Sequence, residues 1–260
     1  MTANLFSFIS DGWIYGLVRT PPNFAAAPAS ATQILCNFNQ SAVGPKTSAT
    51  ARLNIVSKNP KLEANTTMLE YALEKFPLTL KLRDQTPVIV RPFCRGDEIR
   101  LHRFLLTVPE EERLFIKQRI AERARFREWC RHPDFLENLP LLMFHESKII
   151  AEATLRQRRG GWKRHIGVLT ILTHPDYRGR DIAKLLIAEQ VEIARALGLR
   201  ILESELNGER KIAIRALADA GFHPLMRQPD YVLDMNAAPH DYVLMGLDLR
   251  VDEEYAGVGE

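Results

Sequence analysis

Cysteine is scarce in this 260-residue chain: Cys36, Cys94 and Cys130 are all there is, and they lie far apart. They make no CxxC zinc or redox pattern and are too few for a disulfide framework, which suits a reducing, cytoplasmic setting. Long apolar runs are missing too. With no stretch of about eighteen apolar residues, a transmembrane helix is not expected. The apolar segment from Leu5 to Val18 is broken by Asp11 and follows no basic residue, so it lacks the form of a secretory signal. An excess of one charge is also absent. The formal net charge is +3, too even to point to nucleic acid as the main partner. The histidines do not cluster at ligand spacing, so no metal is expected.

What is present is unevenly distributed. Residues 1–67 hold few charges (Asp11, Arg19, Lys46, Arg52, Lys58, Lys61 and Glu63), although 26% of the whole chain is charged. That segment is rich in Ala, Ser, Thr, Asn and Pro and shows no sustained period of 3.6 or 2.0. It is expected to be a disordered extension, followed by one domain over 68–250 and a flexible tail at 251–260. Within the domain, Thr86 to Phe93 reads as a strand, and Asp97 to Leu106 has helical apolar spacing. Thr107-Val108-Pro109-Glu110 has the form of a capping box opening another helix, expected to run through Leu114, Phe115 and Ile116. A further helix is expected over Ala121 to Cys130. Strands are expected at Leu139–Phe144, Lys148–Leu155, Ile166–Thr173, Arg200–Leu206, Tyr231–Met235 and Asp241–Leu249. Asp181–Leu197 and Glu209–Ala220 read as helices, each stopped by a glycine. The order β-ααα-βββ-α-β-α-ββ describes a mixed α/β sheet of about seven strands with helices on both faces.

The stretch from Ile171 to Leu186 carries the most chemistry. A strand ends at Ile171-Leu172-Thr173, and a short loop, His174-Pro175-Asp176-Tyr177-Arg178-Gly179-Arg180, leads into a long helix from Asp181. The first N–H groups of a helix have no partner within it, and together with its dipole they suit an anion. Arg178 and Arg180 would add charge, which fits a pyrophosphate. An ordinary strand-to-helix turn with solvated arginines fits the same residues. The turn with Arg156, Arg158, Arg159, Trp162, Lys163 and Arg164 could meet RNA or single strands, but a solvated hairpin is the preferred reading.

The stretch Arg178 to Ala183 resembles the acetyl-CoA signature of the GNAT superfamily of N-acetyltransferases, R/Q-x-x-G-x-G/A. The resemblance extends from about Phe76 to Leu249. It is closest to a bacterial branch that shares the Leu82 to Pro92 strand, the Val108 to Leu114 helix, Arg164-His165-Ile166-Gly167, and His240-Asp241-Tyr242-Val243-Leu244-Met245 near its end. It implies the GNAT fold, a roughly seven-stranded sheet splayed between its fourth and fifth strands. The pantetheine arm of acetyl-CoA would lie along Ile171, Leu172 and Thr173, and its pyrophosphate on Arg178, Gly179, Arg180, Asp181, Ile182, Ala183 and Lys184. It further implies an acetyltransferase in which a primary amine, of a small molecule or a protein lysine, attacks the thioester directly. A homodimer is compatible with it.

Three positions depart from the family pattern. Val168 stands where the branch often has Glu, Leu217 where many relatives have Tyr, and Asp181 replaces the middle glycine of the signature. Glu205 and Tyr231 are therefore the candidate catalytic residues, with His240 and Asp241 nearby. Aspartate at 181 is also a good helix N-cap. The alternative is a catalytically weak GNAT-fold module that senses acyl-CoA.

Overall fold

The computed structural model of the protein describes residues 60–113, 123–131, 133–158 and 160–250. The expected extension up to residue 59 and the tail at 251–260 lie outside them. A helix, α1 (Pro60–Leu73), runs through the expected boundary at 67/68, so regular structure begins at least eight residues earlier than composition suggests. Its Leu69 and Leu73 are buried in the core. Next come β1 (Leu78–Lys81), β2 (Pro87–Pro92), α2 (Glu98–Thr107), the single turn α3 (Glu110–Arg113) and α4 (Arg123–Arg131). The expected continuation of α3 through Leu114 to Ile116 lies outside the described residues. The remainder is β3 (Asn138–His145), β4 (Lys148–Gln157), β5 (Ile166–Thr173), α5 (Ile182–Ala196), β6 (Ile201–Asn207), α6 (Lys211–Asp219), β7 (His223–Leu233) and β8 (Pro239–Asp248).

The eight strands form one sheet in the order β1-β2-β3-β4-β5-β6-β8-β7. This is one strand more than expected, because the short β1 pairs with β2 from Leu78↔Val90 to Lys81↔Pro87. β7 also starts eight residues before the expected Tyr231, and its pairing with β8 slips at Pro224/Met226 and again at Gln228/Val232. Both slips are bulges that proline and left-handed Asp230 (φ 48°) accommodate on an edge strand. Every pair is antiparallel except β5–β6, which is parallel.

The capping box expected at Thr107 does not form. Thr107 is the last residue of α2, and its hydroxyl donates back to the Phe104 carbonyl at 2.7 Å. Such local back-bonding competes with capping.

Residues paired across strands share a face. One face holds Leu155, Gly167, Leu169 and Leu202, and a Cβ on Gly167 would meet Leu155 and Leu202 as well as Leu199, just beyond α5. There α5 lies on β4, its buried Gln190 donating to the Ala153 carbonyl at 2.6 Å and the Leu139 carbonyl at 3.3 Å. Lys75, just beyond α1, clasps the same helix through Glu189 at 2.6 Å and also pairs with Glu192. The opposite face carries Glu152, Thr154 and Arg156 on β4, Val168 and Thr170 on β5, and Glu203 and Glu205 on β6. Among the described residues no helix is long and apolar enough to cross a membrane.

Candidate active site

The parallel pair is in register for three residues only, Ile166↔Ile201, Gly167↔Leu202 and Val168↔Glu203. One step further, buried Ser204 donates its hydroxyl to the Leu169 carbonyl at 2.9 Å, a side-chain bond beyond the end of the ladder. The registered pairing of β5 with β6 therefore stops before Ile171, Leu172 and Thr173, which keep only their antiparallel register with Ala153, Glu152 and Ala151 of β4. Thr170 and Glu205 are exposed although they lie on central strands, so the face opposite α5 is open to solvent beside this end of the pair.

The loop after β5 leads to the open end of this gap. His174 caps a short 3-10 turn over Pro175–Tyr177, its ring nitrogen accepting from the Asp176 N–H at 3.3 Å. Gly179 (φ +78°) and Asp181 (φ 63°) both take the left-handed backbone. The first bond of the α5 ladder runs from the Leu185 N–H to the Asp181 carbonyl at 3.1 Å. The N–H groups of Ile182, Ala183 and Lys184 thus precede the ladder. The Asp181 side chain does not cap them. Its expected role as N-cap is not met, because a left-handed backbone turns the carboxylate away from the extended geometry that capping requires. Asp181 instead has the backbone conformation that glycine favours.

Both loop arginines already have carboxylate partners. Arg180 pairs with Asp84 of the β1–β2 turn at 2.9 Å, donates to the Asp176 carbonyl at 3.3 Å and lies over the Tyr177 ring at 5.0 Å. The Asp84 carboxyl is held below its usual range, chiefly by hydrogen bonds from Thr86 and also by Arg180. Arg178 pairs with Glu112 of α3 at 2.8 Å. The second oxygen of Glu112 accepts from Arg210, at the start of α6, at 2.7 Å. Burial lowers the pKa of Arg210, Glu112 opposes that shift, and Arg178 adds to it.

On the face opposite α5, Glu203 stands directly beside Val168, the position where the sequence lacks the expected carboxylate. Glu205 follows two residues later on the same face. Tyr242 is opposite Asn207 on β8, diagonal to Glu205. Burial raises the pKa of the Tyr242 hydroxyl, and so do the charges of Glu205 and Glu203 and a hydrogen bond to Glu205. Tyr231 is exposed, but its ring meets that of Tyr242 at 5.6 Å between centroids. The two candidates from sequence, Glu205 and Tyr231, are thus brought together through a third residue. His240 and Asp241 go elsewhere. His240 lies 3.3 Å from Asp234 and 3.6 Å from Glu209, and Asp241 pairs with Arg227 at 3.1 Å. Leu217 is buried in α6.

Sequence reasoning missed Glu112, Arg210, Glu203 and Tyr242. Glu112 and Tyr242 fall inside the segments that carry the family resemblance, so they were visible but had no assigned role. Arg210 and Glu203 carried no signal, since only the register and the loop ends bring them to the gap.

Residues 103–222 match the model of the acetyltransferase (GNAT) family. No curated protein matches the chain. Among solved structures, a GNAT-family acetyltransferase from Streptococcus pneumoniae is 22% identical and superposes with a TM-score of 0.52, over 62% of this chain and 98% of that one. The yncA protein of Salmonella typhimurium, solved with its cofactor acetyl-CoA, is 16% identical at a TM-score of 0.52, over 63% and 94% of the two chains. A chimera of spermidine N-acetyltransferase from Vibrio cholerae is also 16% identical, at a TM-score of 0.52 over 65% and 98%. At these identities the likeness speaks for the shared fold alone.

Proposed function

Because the chain carries a domain of the GNAT acetyltransferase family over residues 103–222, we propose that it is an acetyl-CoA-dependent N-acetyltransferase acting on a primary amine. The observation that carries this reading is the gap between β5 and β6, with the loop from Arg178 to Lys184 at its open end. The backbone of Ile171, Leu172 and Thr173 offers hydrogen bonds to an extended amide-bearing arm. The N–H groups of Ile182, Ala183 and Lys184, with Arg178 and Lys184 nearby, offer a seat for a diphosphate. Gly179 and the left-handed Asp181 let the backbone come close to it. The acetyl-CoA-bound relative supports the donor. The sensor alternative finds no support among the relatives, which are described as acetyltransferases.

In the proposed reaction, Glu205 accepts a proton from the incoming ammonium. The free amine then attacks the thioester carbonyl, a C–N bond forms, and the C–S bond breaks. The nitrogen loses its second proton as the thiolate of CoA is protonated. Glu203 and Glu205 also favour a cationic acceptor electrostatically. Tyr242 donates to Glu205 and holds its carboxylate toward the gap, while Tyr231 covers the Tyr242 ring. The spermidine N-acetyltransferase relative makes a polyamine a sensible first acceptor to try beside lysine peptides. We place the activity in the cytoplasm, in keeping with the scattered cysteines.

The test is thiol release from acetyl-CoA with a panel of polyamines and lysine peptides, for the native protein and for Glu205→Gln. Amine-dependent release is expected, reduced on the order of 100-fold or more in the variant, the scale of general-base catalysis. Release that is independent of amine, or equal in the two proteins, would sink this assignment.

A further inference from the structure

Arg178 lies five residues beyond the end of β5 and Arg210 three beyond the end of β6. The two strands are parallel, so both arginines stand at their carboxyl ends, where open α/β sheets take ligands. Between them lies one carboxylate. Glu112 gives one oxygen to Arg178 at 2.8 Å and the other to Arg210 at 2.7 Å. Two guanidiniums sharing one carboxylate repel, and Arg178 adds to the lowering of the Arg210 pKa that burial chiefly causes. Among the described residues Glu112 is the carboxylate paired with both, which leaves one positive charge uncompensated there. A phosphate group has the charge and the oxygens to satisfy both forks.

We propose that Arg178 and Arg210 form a two-arginine subsite for a phosphate-bearing ligand, and that the Glu112 carboxylate occupies it as an internal stand-in which the ligand must displace. Within the reading of a CoA-dependent enzyme, on which this inference rests, the ligand group is the diphosphate of CoA. Arg178 is part of the loop that opens α5, and it also reaches the Thr173 carbonyl at 3.5 Å. Arg210 therefore joins the donor site from the β6 side of the gap, and Glu112 sets the threshold for donor binding. The 3′-phosphate of CoA carries the same chemistry, and the choice of ligands in the experiment separates the two.

The experiment is calorimetry of the full chain with CoA, dephospho-CoA (which lacks the 3′-phosphate) and pantetheine (which lacks every phosphate). The variants are Glu112→Gln, Arg210→Gln and the double substitution, each checked for folding by its melting curve. Glu112→Gln is expected to tighten CoA and dephospho-CoA about tenfold and to leave pantetheine unchanged. Adding Arg210→Gln should reverse that gain, also by about tenfold, the scale of one charge-assisted hydrogen bond. If Glu112→Gln fails to fold, Glu112→Asp, too short to reach both guanidiniums, takes its place. Unchanged or weaker CoA binding in the Glu112 variant would overturn the displacement, with Glu112 then serving to position Arg178. Tightening of CoA without tightening of dephospho-CoA would assign the subsite to the 3′-phosphate and overturn the diphosphate assignment. If the native protein binds CoA but is indifferent to both substitutions, this inference alone fails. If CoA binds to none of the proteins, the donor reading fails with it.

Discussion

Asp181 is held at φ 63° with no capping bond from its side chain. Aspartate tolerates the left-handed region better than most residues, but glycine adopts it with no Cβ penalty. Asp181→Gly should therefore leave the apo protein as stable or about 1 kcal/mol more stable. That is the reverse of what an N-cap would give, and a melting curve distinguishes the two. The same substitution removes a negative charge beside the three unpaired N–H groups and should tighten CoA in a titration.

A second residue, Glu152 on β4, is buried and accepts from the Thr154 hydroxyl at 2.8 Å, while its other oxygen has no hydrogen-bond partner among the described residues. Burial raises its pKa against the opposing effect of Thr154. When unfolded, the same carboxyl ionises near about 4.3. As pH rises past that value the unfolded chain releases this proton while the folded one keeps it, so this site favours unfolding increasingly until its folded pKa is passed. Glu152→Gln removes that dependence. The variant should melt higher than the native protein at pH 8, with the difference shrinking toward pH 5. A constant difference across that range would show that Glu152 does not titrate in this way.

At the scale of elements, the gap depends on how tightly β5 and β6 are joined at their start. Gly167 sits in the three-residue parallel register, and a Cβ there would come within 2.8–2.9 Å of Leu155, Leu199 and Leu202 at once. These are ends of flexible side chains, but all three lie in the core and would have to yield together. Gly167→Ala should cost roughly 1–3 kcal/mol, the usual penalty for overpacking, read as a lower denaturant midpoint at unchanged slope. On α4, a reactive group shows how the core treats such chemistry. Burial, with the nearby Glu98, Glu152 and Asp97, pushes the Cys130 thiol up to about 12, which keeps it protonated and inert.

For the whole molecule, α1 is part of the folded unit. It contributes Leu69 and Leu73 to the core, and Lys75 just after it pairs with Glu189 of α5. Burying each leucine is worth about 1.5–3 kcal/mol. A protein starting at residue 74 should melt several degrees below one starting at residue 60, and one starting at Met68 should fall between them. Equal melting temperatures for all three would show that α1 is not part of the cooperative unit.

The sequence alone was enough for the order of most elements, the loop from Arg178 to Lys184 and the α/β architecture, because each of these is local. Apolar periodicity, glycines at helix ends and a motif about ten residues long need no knowledge of distant partners. It missed the start of α1 because residues 60–67 are mostly polar and hold one leucine, Leu62, so they resemble the segment before them, and β1 because four residues are too few to show a period. The site was decided by tertiary structure. The carboxylate absent at Val168 stands on the adjacent strand as Glu203, placed there by register. Glu205 and Tyr231 meet through Tyr242, which only the pairing of β8 with β6 brings to them. Arg178 is not the free cation its sequence suggests, because Glu112, 66 positions earlier, reaches it together with Arg210. Such pairings depend on how strands and loop ends are stacked in space, and no local pattern of residues encodes them.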